Sequence, residues 1–329
     1  MSGRHPNAIV TTPSGPLRAD EAALVRVRVS LGCTGAHDMA ELIAWPSSKL
    51  ADLAVGDVVS IALGERDAEA DVFTGEVSDV LAGADGVVIE ALAATSALSR
   101  ARRNQTYLSQ SIAEIVRDLA SDVDTSEVQG DLTLDAYAVD DRRPVWEHLI
   151  DLAELAGADI GCNAEGGLRF VPVKTGAAQI SLRYGADLLA WSFGPARTGA
   201  ARAVAAQGAA SEQGADKWHW IARTPTGKGD GPLRVLAALR TTDAAESVSA
   251  AWTQRVARAA LRGSLSIVGR PEPRPGDLIE LAELPDADPG TLRLLGVDHL
   301  LDARTGFVTQ LRVESGGEGG LGSLLGGLL

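Results

Sequence analysis

The chain has 329 residues, 45% hydrophobic and 22% charged, with 30 Lys and Arg against 44 Asp and Glu for a formal net charge of −14. That composition suits a folded protein with two or three cores, and the acidic balance argues against a phosphate-binding surface, which needs clustered Lys and Arg. Two cysteines, Cys33 and Cys162, make neither a disulfide framework nor a metal site; with no run of about 18 apolar residues and no apolar signal core, synthesis in the cytoplasm is expected.

Residues 1–20 hold Pro, Gly and Ser in a weak pattern and read as an N-terminal arm. From 24 to 29 apolar and charged residues alternate, the period of a half-buried strand, and 39–45 supplies a partner ended by Pro46. Residues 53–57 turn into a strand over 58–63, followed by strands near 71–81 and 86–93, so 21–93 reads as a small antiparallel β-barrel domain. The period then becomes helical. Ser109 or Ser111 caps a helix carrying Ile112, Ile115, Val116 and Leu119. A second helix opens at Pro144, places Val145, Leu149, Leu152 and Leu155 on one face, and closes at Gly157. Strands near 158–163 and 167–173, joined by a turn at 163–167, complete an α/β insert over 94–176.

Strand signals return at 180–182, 188–193, 201–207 and 218–223. An Ala-rich helix is predicted over 243–262, capped by Asp243 and ended by Gly263. Residues 264–314 close a second β-barrel domain spanning 177–315, and a Gly- and Leu-rich tail occupies 316–329.

The most informative feature is an internal repeat. Gly56-Asp57-Val58-Val59, Phe73-Thr74-Gly75-Glu76-Val77 and Gly86-Val87-Val88 are echoed by Gly276-Asp277-Leu278-Ile279, Leu294-Leu295-Gly296-Val297 and Gly306-Phe307-Val308. The aspartate-to-glycine spacing is 18 residues from Asp57 to Gly75 and 19 from Asp277 to Gly296. Two similar β-domains with an α/β insert between them follow: an α+β, mainly β chain.

Chemical motifs are scarce. G-x-S-x-G, P-loop, H-E-x-x-H and C-x-x-C patterns are absent, and Gly320-Leu321-Gly322 lacks the strand, helix and third glycine of a dinucleotide fingerprint. Residues 286–290 resemble half of a calcium loop, but Val297 stands where the bidentate glutamate belongs, so a turn is expected. Glu147, His148 and Asp151 share a helix and read as its solvated face; Trp218-His219-Trp220 reads as a strand with alternating burial. Arg100, Arg102 and Arg103, with Arg142-Arg143, read as solvated loops or salt bridges, and Cys33 has no local nucleophile signature. No catalytic, cofactor or metal residue is predicted.

The order of parts carries a resemblance. Leu53-Ala54-Val55-Gly56-Asp57-Val58-Val59, Phe73-x-Gly75-x-Val77, Leu98-Ser99-Arg100, a helix over Tyr107-x-x-Gln110-Ser111-Ile112-x-x-Ile115-Val116, Tyr137, and Pro144-Val145-Trp146-x-x-Leu149 come first. Ala156-Gly157-Ala158, Gly167-Leu168-Arg169-Phe170, Pro275-Gly276-Asp277 and Val297-Asp298-His299 follow. This series resembles the baseplate hub proteins of contractile phage tails, the late control protein D family. It is similar to the hubs of contractile injection systems and to the N-terminal hub part of type VI secretion spike proteins. The resemblance implies a homotrimer of chains with two tube-like barrels each. Such a trimer has pseudo-six-fold symmetry and joins a hexameric inner tube to a trimeric spike among baseplate wedge components, without catalysis. It places the protein in the baseplate of a phage tail or injection particle, with the spike a separate protein. Leu321, Leu324, Leu325, Leu328 and Leu329 are expected to bury against a partner or neighbouring subunit. A cell-wall-degrading tail enzyme and a ligand-binding β-module are the alternatives.

Overall fold

The computed structural model describes residues 5–84, 86–197, 204–206, 234–236, 238–285 and 288–317. Its first part is β1 (Pro6–Thr12), β2 (Gly15–Arg18), β3 (Leu24–Gly32), β4 (Met39–Ala44), β5 (Val58–Glu65), β6 (Ala68–Gly83) and β7 (Gly86–Leu92). The insert holds β8 (Gln105–Ser111), α1 (Ile112–Leu119), β9 (Glu127–Val128), β10 (Thr133–Val139), α2 (Val145–Ala156), β11 (Ala158–Cys162) and β12 (Leu168–Pro172). The last part is β13 (Ile180–Arg183), β14 (Leu188–Pro195), β15 (Val204–Ala206), β16 (Arg234–Leu236), α3 (Thr242–Arg258), β17 (Leu261–Val268), β18 (Leu278–Ala282), β19 (Leu292–Asp302) and β20 (Gly306–Ser315).

The fold is mainly antiparallel β. One sheet runs in the order β14-β17-β20-β19-β3-β4-β7-β6-β5-β1-β2, with β18 and β13 attached beside β19. The same order occurs twice: β3-β4-β7-β6-β5 in the first half, β14-β17-β20-β19-β18 in the second. Even the irregularities correspond. A register shift skips Val25 between β3 and β4 and Leu189 between β14 and β17. Another skips Ser78 between β6 and β7 and Leu295 between β19 and β20. The halves differ at their margins, because β1 pairs antiparallel with β5 whereas β13 pairs parallel with β18.

The halves meet edge to edge. β3 pairs with β19 from Gly32 opposite Gly296 to Arg26 opposite Asp302. Val27, Val29 and Leu31 from one side and Val297 from the other join a single buried cluster fed by both halves. A second cluster fills the insert around Ile112, Ile115, Leu149, Leu152, Ile160 and Phe170. Helix α3 packs Ala244, Ala245 and Val248 into that second cluster, although in sequence it lies far beyond the insert.

Several expectations change. The N-terminal arm is a β-hairpin: Ala8 and Val10 are fully buried and Gly15 turns the chain at φ +117°. The run from Tyr107 to Ser111 is strand, paired with β10; the helix starts at Ile112, where Ser111 and Glu114 form a capping box. Ser109 sits within that strand at positive φ. Helix α3 is capped by Thr241, not Asp243, and ends at Arg258 instead of 262. Gly263 lies within β17, where Phe193 of β14 presses so closely that no Cβ fits. Pro144 opens α2 and Gly157 closes it at φ +61°, as its sequence indicates. The expected strand at 218–223, Trp218-His219-Trp220, and the leucines Leu321, Leu324, Leu325, Leu328 and Leu329 lie outside the described residues.

Candidate functional site

Each half enters its central hairpin through the same turn. In the first, Ala54 N donates to Asp57 Oδ2 at 2.9 Å while Asp57 N donates to the Ala54 carbonyl at 3.1 Å. Gly56 N donates to Val77 O at 2.9 Å and Val77 N to Asp57 O at 2.8 Å. In the second, Arg274 N donates to Asp277 Oδ2 at 2.9 Å, and Asp277 N to Arg274 O at 3.1 Å. Gly276 N donates to Leu294 O at 2.7 Å and Leu294 N to Asp277 O at 2.9 Å. Gly56 and Gly276 sit at φ +94° and +91°, a region where a Cβ is strained. The aspartate carboxylate closes the turn and the glycine permits it.

These bonds fix the correspondence along the hairpins. Val77 matches Leu294, so Gly75 has Leu292 as its counterpart and Gly296 has Asp79. Gly75 is required by close approach, since a Cβ would lie 2.5 Å from Leu92 O and 2.6 Å from the buried Phe73 ring. Gly296 instead lies at the junction, opposite Gly32 and Arg312. Gly306 opens β20 opposite Asp302. The middle glycines therefore do different work despite their similar spacing.

The candidates for chemistry resolve into packing. His148 is buried, with Nε2 3.2 Å from the Asp140 carbonyl, so it does not share the solvated face expected for it. Glu147 and Asp151 both hold Arg143, at 2.9 and 2.7 Å. Arg103 pairs with Asp122 and Arg142 with Asp140. Cys33 is buried, and burial, followed by the Asp159 charge, pushes its thiol up to about 12. Among the described residues no group of three or more His, Cys, Asp or Glu is placed to hold a metal, and no helix is long and apolar enough to cross a membrane.

A buried charge cluster was not anticipated from the sequence. Arg293 of β19, 2% exposed, bonds Asp159 of β11 and, at 2.7 Å, Glu314 of β20. Arg258 of α3 stands 3.6 Å from Glu314. Burial works against the charged form of Arg293, but Asp159, Cys33 and Glu314 outweigh it and hold the guanidinium above its ordinary value. Asp159 Oδ2, Arg258 Nε and Arg293 Nε have no hydrogen-bond partner among the described residues. Beside them a cleft of about 590 Å³ opens between α2, α3 and β11. The cluster ties insert, helix and second half together. Its one signal was an arginine inside the apolar run Leu292-Arg293-Leu294-Leu295.

No protein-family profile matches the chain, and no curated protein matches it in sequence. Solved structures do match in shape. A tail protein from Neisseria meningitidis MC58 superposes with a TM-score of 0.70 at 12% identity, covering 94% of this chain and 96% of that one. The 43 kDa tail protein of prophage MuSo2 from Shewanella oneidensis gives 0.65 at 12% identity over 93% and 98%. An Escherichia coli component of the type VI secretion system, described as similar to the T4 phage tail proteins gp27 and gp5, gives 0.60 at 9% identity over 90% and 74%. The chain has the fold of these tail and secretion-system proteins.

Proposed function

We propose that the protein is the structural baseplate hub of a contractile phage tail or phage-like contractile injection system. In this reading it is a homotrimer whose six similar halves present pseudo-six-fold symmetry to a hexameric inner tube, with true three-fold symmetry for a trimeric spike. Residues 21–93 and 177–315 form the two tube-like halves, each built around its Gly-Asp turn, and 94–176 packs outside them with α3. Wedge components are further partners, and the leucines of the tail, Leu321 to Leu329, contact the spike or a neighbouring subunit. The role needs no catalytic group or cofactor.

One observation carries this reading. The chain contains two copies of one strand order already joined edge to edge through β3 and β19. A heterologous joint of this kind repeats head to tail and either closes into a ring or runs on as a filament. The shared fold with phage tail proteins and a type VI component supports the closed form. Light scattering on purified protein, alone and mixed with its spike and tube proteins, is expected to give three copies. A strictly monomeric chain in the presence of both partners overturns the reading. Turbidity of purified cell walls is expected to stay unchanged, whereas clearing would favour the cell-wall enzyme. The cleft beside Arg293 is where a ligand-binding module would hold its ligand; a small molecule protecting the chain against heat would favour that second reading.

A further inference from the structure

The internal junction acts as a template for an external one. In β19 the residues after Leu295 are covered by β3; their counterparts in β6, Asp79 to Gly83, have no described strand on that side. In the first half β3 has β4 on one side and β19 on the other; its counterpart β14 has only β17 among the described strands, apart from a bridge at Leu188. Among the described residues, each chain thus has one joint made and the two halves of a second joint unmade.

Burial follows the same division. Val27 and Val29 of β3 are 1% and 0% exposed, whereas their counterparts are Trp191, 37% exposed, and the half-buried Phe193. His299 of β19 is fully buried and its counterpart Ala82 is exposed. Leu81, at 60% exposed, matches Asp298, whose side chain is 21% exposed and bonds Ser30 across the joint. Trp191 and Phe193 stack at 5.0 Å on the face that is core in the internal joint. An exposed strand edge with large apolar groups on one face is what a further strand covers.

We infer that β14 of one chain pairs antiparallel with residues 79–83 of β6 of a second copy, in the register of the β3–β19 joint. Carrying that register over sets Val80 opposite Pro195, Leu81 opposite Gly194, Ala82 opposite Phe193 and Gly83 opposite Ser192. This deepens the hub reading and rests on it for the number of copies, but the joint itself follows from the repeated strand order. The external joint is the weaker one. Leu31 N–H points toward β19, because Gly32 N faces Asp38 on the other side and Cys33 N bonds Leu295 O; Pro195, at the matching place, has no amide hydrogen.

The register is testable by cross-linking. Leu81 and Gly194 match the non-hydrogen-bonded pair Asp298 and Ser30, whose Cα atoms approach to about 4.5 Å, within disulfide reach. A Cβ at Gly194 meets nothing within 4 Å, Leu81 is exposed, and Cys33 is buried. Within one chain six strands separate β6 from β14, so a bond between them joins two copies. The full-length Leu81→Cys/Gly194→Cys protein is expected to give a covalent ladder on mild oxidation, and Asp79→Cys/Gly194→Cys is not. An oligomer that fails to cross-link at 81 and 194, or does so only through 79 and 194, overturns the joint and leaves the hub reading standing. Cross-linking in a protein that binds neither tube nor spike removes the hub reading and keeps the joint. Trp191→Asp is expected to weaken self-association by about tenfold or more with an unchanged circular dichroism spectrum; unchanged association also overturns the joint.

Discussion

Arg293 is the residue whose loss should cost most, because it leaves Asp159 and Glu314 as buried carboxylates without their shared partner. Breaking a buried pair from one side costs about 3–5 kcal/mol. Arg293→Met is therefore expected to lower the urea midpoint sharply, and replacing all three residues with apolar ones to recover part of the loss. Two other buried groups give opposite pH dependences. Burial, with a smaller push from Arg274, lowers His299 to about 3, so the folded chain keeps it neutral while the unfolded chain binds a proton below about 6.5. Stability from this group falls as pH drops from about 6.5 toward 3. Burial raises Asp38 to about 7 against the pull of the Gly32 N–H, so the folded chain holds a proton that the unfolded chain has released above about 3.9. Stability from Asp38 falls as pH rises from about 4 to 7. The two oppose each other over pH 4–6.5. Asp38→Asn is expected to make the urea midpoint rise more steeply with pH there; an unchanged slope would refute the assignment.

At the scale of elements, the Gly-Asp turns supply a matched pair of tests. Asp57→Ala removes one side-chain acceptor and is expected to cost about 1 kcal/mol in thermal or urea unfolding. Asp277→Ala should cost more, because Asp277 also holds Lys174 at 2.6 Å with its own side chain only 14% exposed. Equal losses would mean that the Lys174 pair contributes nothing. These turns were legible in the sequence because glycine followed by aspartate is a local requirement of backbone geometry. Strand alternation in β3 to β7, a cap narrowed to Ser109 or Ser111 and the stop at Gly157 were legible for the same reason. What the sequence hid was set by distant contacts. Ala8 and Val10 lie in a strand held on one side by the hairpin with β2 and on the other by the distant edge of β5, and Gly263 is a strand glycine because Phe193 crosses it. The landmark glycines Gly75 and Gly296 match in spacing, yet one answers to Leu92 and the other sits in the joint between halves. The buried charge cluster draws on four elements, β11, α3, β19 and β20, and takes shape only when they are brought together.

At the scale of the whole molecule, the repeated strand order makes one joint internal, and in the proposed ring its equivalent is made with a neighbour. Because Pro195 removes one amide from the external joint, a ring of such chains is expected to dissociate into intact protomers before any protomer opens at β3–β19. Native mass spectrometry with increasing collision energy checks this: folded monomers should appear first, without partly unfolded rings. The internal joint also sets a timetable. Ser30 meets Asp298 across 268 residues of chain, so β3 leaves the ribosome long before its partner exists. At about 5–20 residues per second, its outer edge waits roughly 15–50 s during synthesis. Over that interval Val27, Val29 and Leu31 form an uncovered strand edge able to recruit the same segment from a nascent neighbour. Arg26 and Arg28 alternate with them, and a second identical strand laid along this edge would bring like charges together. If the proposed ring closes through strand edges, those edges have to stay apart while the chain is made; Arg28 is the charge left to do so, because Arg26 is paired with Glu41 of the neighbouring β4.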